Sequence, residues 1–176
     1  MDQTELDQLD IYAVAGDYYE MNMGVKGNKI TGVYRHPKQP KCWFFFEGTL
    51  GTQNPVPVSC YNPNNTQPPI KGTFKIVGDA IIAQLPRLPH QDCPSELTDE
   101  VGYSMVLDLQ HSVSAIRVVQ YPAAIYPTPS LDTEPMKVPL PVGTPVGVLE
   151  KKCTWLRVDA LEISSTFLAL WLLEHK

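Results

Sequence analysis

The chain has 176 residues, enough for one large domain or two small ones with separate cores. Hydrophobic residues make up 43% of it, a level typical of folded globular proteins and above that of disordered chains. The 14 Lys and Arg residues against 19 Asp and Glu residues give a net charge of -5, and no basic stripe that would hold phosphates is visible. We therefore expect a folded protein that does not bind nucleic acid.

The beginning of the sequence does not resemble an export signal. Its first ten residues are acidic and polar, whereas a secretory signal has a basic start and an apolar middle. No apolar run approaches the roughly 20 residues that span a bilayer. The sequence as given predicts a cytoplasmic protein that does not span a membrane, or a periplasmic or extracellular protein if a signal sequence was removed.

Proline is the strongest compositional signal, with 17 residues, about twice the usual share. The prolines cluster between short apolar runs, and proline interrupts helices and central strands alike. The runs are rich in valine, isoleucine and aromatic residues, which favour strands. An all-β chain follows, with a short helix predicted only at Thr4–Leu9.

Turn residues divide the first part of the chain into strands. The segment Gly24–Asn28 is turn-rich, Gly78 and Asp79 form a two-residue hairpin signal, and a further turn is predicted at Gln110–Ser112. Successive hairpins favour an antiparallel barrel, with a sandwich as the alternative. The predicted strands are Ile11–Tyr19, Ile30–Tyr34, Cys42–Glu47, Val56–Tyr61, Lys71–Val77, Ala80–Leu85, Tyr103–Leu109 and Val113–Val119.

A domain boundary is predicted near residue 120, because Tyr121–Pro141 is an extended, proline-rich segment with few strand signals. We expect an antiparallel domain over residues 1–120 and a small domain over residues 121–176. In the second domain, Val146–Leu149 and Trp155–Val158 form a hairpin around a charged turn at Glu150–Lys152.

This hairpin, with its flanking segments, resembles the core of bacterial SH3-like domains over about 55 residues. The flanking segments that fit the order are Ala124–Tyr126, Val138–Leu140, Gly143 and Leu170–Leu173. Ile163–Leu168 departs from it, since it replaces the glycine usually found before the last strand. The resemblance implies a small SH3-like barrel and a binding habit, without chemistry.

The N-terminal part is loosely similar to small lipocalin-like β-barrels. The segments that carry the likeness are Gly16–Tyr19 and Ile30–Tyr34, followed by hairpins in sequence. Barrels of this kind enclose a cavity when they have eight or more strands.

Catalytic and metal-binding motifs are absent from the sequence, so we expect no enzyme activity, no metal and no cofactor. Cys42, Cys60, Cys93 and Cys153 have no zinc spacing and allow three pairings as two disulfides. The apolar context of Cys42 and Cys60 favours buried thiols. His90 and Cys93 form an H-x-x-C pair, which we interpret as part of a solvated loop; half a metal site or a thiol nucleophile with its base is the alternative.

Aromatic and acidic residues supply the candidate binding positions. In the run Trp43–Phe46, two side chains point to each side of a sheet, so Trp43 and Phe45 share one side. Tyr121 and Tyr126 precede prolines on the loop face of the second domain, where tyrosines form peptide-binding grooves or dock the two domains. The remaining candidates are Trp155 and the acidic residues Asp92, Glu96, Asp99 and Glu100.

Three functional classes remain. The first and favoured class is a non-catalytic bacterial protein-binding protein with one protein partner, such as an inhibitor or immunity protein that blocks a toxin. The second is a protein that binds a cell-wall peptide or a small apolar ligand. The third is a cysteine-dependent enzyme that uses Cys93 or Cys153.

Overall fold

The computed structural model describes residues 16–18, 20–62, 67–110, 113–160 and 170–174. Within these ranges the regular structure is antiparallel β-strand, apart from a short 3₁₀ helix at Ser95–Thr98. The all-β prediction is therefore confirmed. The predicted helix Thr4–Leu9, most of the predicted strand Ile11–Tyr19 and the segment Ile163–Leu168 lie outside the described residues.

The first unit of the chain, Met1–Ser112, contains a barrel. Each strand pairs with the next, so that seven longer strands form one curled sheet, and a three-residue strand pairs with both of its ends and closes it. Of the two predicted arrangements, the structure has the barrel. The strands are β1 (Gly16–Tyr18), β2 (Met21–Lys26), β3 (Lys29–Arg35), β4 (Trp43–Thr49), β5 (Val56–Tyr61), β6 (Ile70–Val77), β7 (Ala80–Gln84) and β8 (Tyr103–Gln110).

Alternation along the strands fills the barrel with side chains. Phe44 and Phe46 of β4 belong to the core cluster and are 0% exposed, and Phe46 packs edge to face on Phe74 with ring centroids 4.7 Å apart. The Phe44 ring stacks on that of Tyr34 at 4.9 Å. Large side chains therefore occupy the interior, as is usual for a barrel of about eight strands without a ligand.

Two tyrosines and one carboxylate connect strands at one end of the barrel. The hydroxyls of Tyr34 and Tyr103 both donate hydrogen bonds to Oε2 of Glu20, at 2.8 and 2.9 Å. Burial and the neighbouring Glu20 carboxylate raise the pKa of Tyr34 above its ordinary value. The cluster satisfies hydroxyls that burial would otherwise leave unpaired, so we assign it a structural role.

Strand β2 lies partly where the sequence predicted a turn. The segment Gly24–Asn28, predicted to be turn-rich, contains the turn only in its last two residues, because Met21, Met23 and Val25 alternate into the core and carry the strand to Lys26. The turn itself is Gly27 and Asn28, with Gly27 at a φ of 59°. The Gly78 and Asp79 hairpin is confirmed, and Gly78 has the positive φ that such a turn requires.

The second unit, Val113–Lys176, contains a five-stranded antiparallel sheet. Its strands are β9 (Ala115–Val118), β10 (Ile125–Tyr126), β11 (Pro145–Lys152), β12 (Trp155–Ala160) and β13 (Leu170–Leu173), in the order β10, β13, β12, β11, β9. Its core combines a set of buried aliphatic residues: Val119, Ile125, Leu140, Val146, Val148, Leu156, Val158 and Leu172.

Strand β9 belongs to this second sheet. The sequence placed it in the first domain as the partner of β8, but it pairs with β11. The end of β9 at Val118 and the start of β11 at Pro145 are 27 positions apart in the sequence. The backbone N–H of Ser114 donates to the Val148 carbonyl at 2.8 Å, which extends the pairing. The chain accordingly divides after Ser112, whereas the sequence had placed the boundary near residue 120.

The β11–β12 hairpin is longer than the sequence indicated. Glu150–Lys152 was predicted to be the turn, but these residues continue β11, and the turn is Cys153 and Thr154. A register shift between Val148 and Glu150 accommodates the extension. Beyond β13, Glu174 accepts hydrogen bonds from Arg117 at 2.6 Å and from Lys151, which ties three strands together.

A disulfide joins Cys42 to Cys93 across 51 residues. The prediction that Cys42 is a buried thiol is therefore wrong, although both sulfurs lie in the barrel core. The bond attaches the connection between β7 and β8 to the start of β4. Leu97 in the same connection is 0% exposed, and its carbonyl accepts a hydrogen bond from the Leu85 N–H at 2.7 Å.

Replacing Cys42 and Cys93 together by alanine should lower the free energy of unfolding by about 2–5 kcal/mol, because the unfolded chain without the cross-link has more conformational entropy. Urea denaturation of the oxidised protein and the double variant measures the difference. The Cys153→Ala variant is the control and should unfold like the parent, since Cys153 is exposed and unbridged. A difference well below about 1 kcal/mol would contradict the role of the bond.

Cys60 is a free thiol buried in the barrel core, and burial raises its pKa to about 12 from an ordinary value of 9.0. A thiol with a raised pKa in the folded state stabilises the fold below the pKa of the unfolded chain. This contribution is lost as the pH rises from about 9 towards about 12, because only the unfolded chain then ionises.

The free energy of unfolding should therefore fall by about 2 kcal/mol more in the parent than in Cys60→Ala between about pH 8 and pH 10.5. Denaturant titrations at the two pH values measure this. Comparing the fall within each protein removes the baseline cost of the cavity that alanine leaves. An equal fall in both proteins would show that burial does not raise the pKa of the Cys60 thiol in the folded protein.

Candidate functional site

The register of the second sheet sets which residues share a face. Ile125 of β10 lies opposite Leu172 of β13, and Leu172 lies opposite Leu156 of β12. Directly opposed residues point to the same side of a sheet, and these three belong to the core of the unit. The alternate residues of the same strands therefore lie on the other face.

Three aromatic side chains lie on that other face. Tyr126 is opposite Trp171, and Trp155 is opposite Leu173, two residues further along β13. The rings of Tyr126 and Trp155 meet edge to face, with centroids 5.1 Å apart and planes at 86°, a preferred geometry for aromatic pairs. All three side chains are half-buried. We call Tyr126, Trp155 and Trp171 the aromatic face.

Charged side chains border the aromatic face. Arg157 lies opposite Trp171 and forms an ion pair with Glu150 at 3.7 Å, in which both side chains are about half exposed. Lys152 lies opposite Trp155 and is exposed. An exposed ion pair of this length contributes little to stability. Aromatic residues within a polar rim are a composition typical of protein–protein interfaces.

Two of the predicted binding residues, Tyr126 and Trp155, thus come together. Trp171 was missed as a site residue, although the alternation of Leu170–Leu173 could have placed it on the side opposite Leu172. Tyr121 lies in the connection after β9 and is 74% exposed. Within the described part of the chain it makes no ring contact.

Trp43 and Phe45 lie on the outside of the barrel, as their alternation with the buried Phe44 and Phe46 predicted. Phe45 is only 8% exposed, and its ring packs edge to face on Tyr61 at 5.2 Å. Trp43 is half-buried. Phe45 therefore presents little surface to a ligand, and its ring is already engaged in packing.

The four predicted acidic residues all lie in the connection between β7 and β8. Glu96, Asp99 and Glu100 are exposed, and Asp92 is half-buried beside His90, whose Nδ1 is 3.4 Å from the Asp92 carboxylate. The side chain of Gln84 in β7 holds the backbone of this connection, because it donates a hydrogen bond to the Asp99 carbonyl at 3.2 Å. We call Asp92, Glu96, Asp99 and Glu100 the acidic loop.

The disulfide reduces the number of cysteines that could act as a free thiol. Cys93 is bonded to Cys42, so the H-x-x-C pair does not supply a free thiol beside His90. The Nδ1 atom of His90 accepts a hydrogen bond from the Asp92 N–H at 3.2 Å. Cys153 is an exposed thiol in the β11–β12 turn. No group of three or more His, Cys, Asp or Glu side chains among the described residues is placed to hold a metal ion.

The described parts of the chain contain no helix with the length and apolar composition needed to cross a membrane.

Comparison of the chain with protein-family models, curated proteins and solved structures found no match.

Proposed function

We propose that the protein is a non-catalytic protein-binding protein and that its aromatic face binds one protein partner. The observation that carries the proposal is the clustering of Tyr126, Trp155 and Trp171 on the face of the second sheet opposite its hydrophobic core. Burying the exposed parts of these rings against a partner would gain hydrophobic free energy. Tryptophan and tyrosine are also the residues most often found at the energetic centres of interfaces.

The partner segment that suits this face is an extended peptide with charges of both signs. Arg157 and Lys152 can receive acidic side chains, and Glu150 can receive a basic one, at the edge of the aromatic rings. Likeness to bacterial SH3-like domains supports this mode of binding. Strands β10 to β13, and Gly143 with a φ of 86° before β11, follow the order of the segments that carry this likeness in the sequence.

In its most specific form, the proposal is that the protein is a bacterial inhibitor or immunity protein that covers the active site of a toxin. The acidic loop supports this form, because an anchored set of exposed carboxylates attracts a basic partner over a distance. The buried Cys42–Cys93 disulfide supports a periplasmic or extracellular place of action, since disulfides persist in oxidising compartments.

The alternative of a small apolar ligand inside the barrel has less support. The interior positions carry Tyr34, Phe44, Phe46 and Phe74, each 0–1% exposed and in contact with other core residues. A ligand would have to displace packed rings, each of which contributes several kcal/mol of stability. A cell-wall peptide remains an alternative occupant of the aromatic face, and the experiment below separates it from a protein.

Replacing Trp155 and Tyr126 together by alanine should weaken partner binding by about 30-fold or more, because both rings leave the centre of the proposed interface. Affinity capture with the tagged protein from a lysate of its source organism identifies the partner by mass spectrometry. Titration calorimetry with that partner then measures the affinity. We expect one protein at near-equal stoichiometry, and that this protein harms cells when expressed alone.

The matched control is Val106→Ala, which shortens a 50% exposed apolar side chain on the barrel and should leave the affinity unchanged. Thermal melts of both variants exclude unfolding as the cause of a loss. Recovery of cell-wall fragments without a protein would replace the protein partner by a peptide ligand. An unchanged affinity of the double variant for a captured partner would reject the aromatic face.

Charge reversal in the acidic loop should slow association with the captured partner. Changing Glu96, Asp99 and Glu100 to lysine should lower the association rate constant by about tenfold at low salt, with a smaller effect at high salt, because electrostatic steering is screened. Stopped-flow kinetics measures the rates. Glu134→Lys, which reverses an exposed charge in the second unit, serves as the control. Equal association rates for the loop variant and the control would show that the loop does not face the partner.

A further inference from the structure

Strands β3 to β6 line a cleft of about 430 Å³ on the barrel, within the size range of small-molecule sites. The cleft lies in the first unit, so it is independent of the aromatic face. Its lining combines charged and hydroxyl-bearing side chains: Lys29, Thr31, Glu47, Thr49, Ser59 and Lys71.

Four of these residues form a single row across the four strands. Thr31 lies opposite Glu47, Glu47 opposite Ser59, and Ser59 opposite Lys71. Since directly opposed residues share a face, the row points away from the core that Ile30 and Val58 enter. We call Thr31, Glu47, Ser59 and Lys71 the polar row.

The polar row holds two opposite charges apart. Ser59 lies between Glu47 and Lys71, and the Lys71 ammonium donates a hydrogen bond to the Ser59 hydroxyl at 2.7 Å. Two strand spacings separate the backbones of Glu47 and Lys71 by about 10 Å. Within the described residues neither side chain takes part in an ion pair. A carboxylate and an ammonium group thus face the same cleft without neutralising each other.

Two glycines explain why the outer surface is concave at this place. Gly48 and Gly72 line the cleft, and a Cβ on Gly48 would lie 2.9 Å from the Pro57 carbonyl oxygen. A Cβ on Gly72 would lie 2.4 Å from Cδ2 of Leu85, a core side chain. Without inward side chains, the backbone of β4 and β6 lies close to the core, and the surface above it is indented.

We propose that this cleft binds a short zwitterionic peptide, with its carboxylate on Lys71 and Ser59 and its ammonium group on Glu47. The charge-assisted hydrogen bonds at the two ends would give affinity and direction. An extended dipeptide spans about 7 Å, whereas a single amino acid spans about 3.5 Å. A cleft of about 430 Å³ is of the size that takes ligands larger than one amino acid, which favours the peptide.

The test titrates the isotope-labelled full chain with the dipeptide L-alanyl-L-alanine and follows backbone amide signals by NMR. We expect saturable shifts at Gly48, Ser59 and Gly72. The N-acetylated dipeptide and the dipeptide amide should each bind about 10- to 100-fold more weakly, because each lacks one charged end. Free alanine should also bind more weakly than the dipeptide.

Matched variants assign the two ends. Glu47→Gln should weaken dipeptide binding about tenfold and leave binding of the N-acetylated dipeptide unchanged. Lys71→Gln should also weaken dipeptide binding about tenfold and leave binding of the dipeptide amide unchanged. Lys75→Gln, which removes a charge on the same strand outside the cleft, should change neither affinity.

Four results would overturn the proposal. The first is a set of shifts that do not saturate by about 10 mM dipeptide, since useful affinities are millimolar or tighter. The second is an affinity for the dipeptide that neither cleft variant changes, and the third is tighter binding of free alanine than of the dipeptide. The fourth is a set of shifts confined to Tyr126, Trp155 and Trp171. The last result would support peptide binding at the aromatic face alone, so failure of the cleft is distinguishable from failure of the proposed function.

Discussion

The packing of aromatic rings inside the barrel is the constraint on which the rest of the first unit depends. Phe46 packs on Phe74, and Phe44 stacks on Tyr34, so that rings of β3, β4 and β6 are matched to rings on other strands. A ligand could enter an interior filled by such rings only by displacing side chains. The surfaces of this unit that we propose for binding accordingly lie outside the barrel, on outward-facing strand residues and on the connections between strands.

The two surfaces proposed for binding differ in chemistry because the two sheets use their outward faces differently. The second sheet places Tyr126, Trp155 and Trp171 outward, an arrangement that gains free energy when water is removed over a broad contact. The barrel places Glu47 and Lys71 outward in a concave site, which suits a small ligand with fixed charges. In the proposed function the acidic loop adds long-range attraction, and the disulfide at Cys93 attaches its backbone to the start of β4.

Local pattern was sufficient for much of the fold. Valine, isoleucine and aromatic runs between prolines predicted strands, and the alternation of Trp43–Phe46 placed Phe44 and Phe46 on one side of the sheet, which is the core side in the structure. The Gly78 and Asp79 turn was found because a positive φ favours glycine. Strand β2 was missed because Gly24 suggested a turn, while the inward alternation of Met21, Met23 and Val25 decides the structure there. Of the candidate binding residues, Tyr126 and Trp155 were named in advance, whereas Trp171 and the polar row were not.

The sequence by itself determined that the chain is all-β and where most of its strands lie, because these properties depend on neighbours within a few positions. Only the tertiary structure decided which distant segments meet. The pairing of β9 with β11, the Cys42–Cys93 bond, the position of Trp171 opposite Tyr126 and the alignment of Thr31, Glu47, Ser59 and Lys71 all join residues from separate strands or connections. Such partners are set by sheet closure and register, and a strand's own alternation of side chains does not specify the strand beside it.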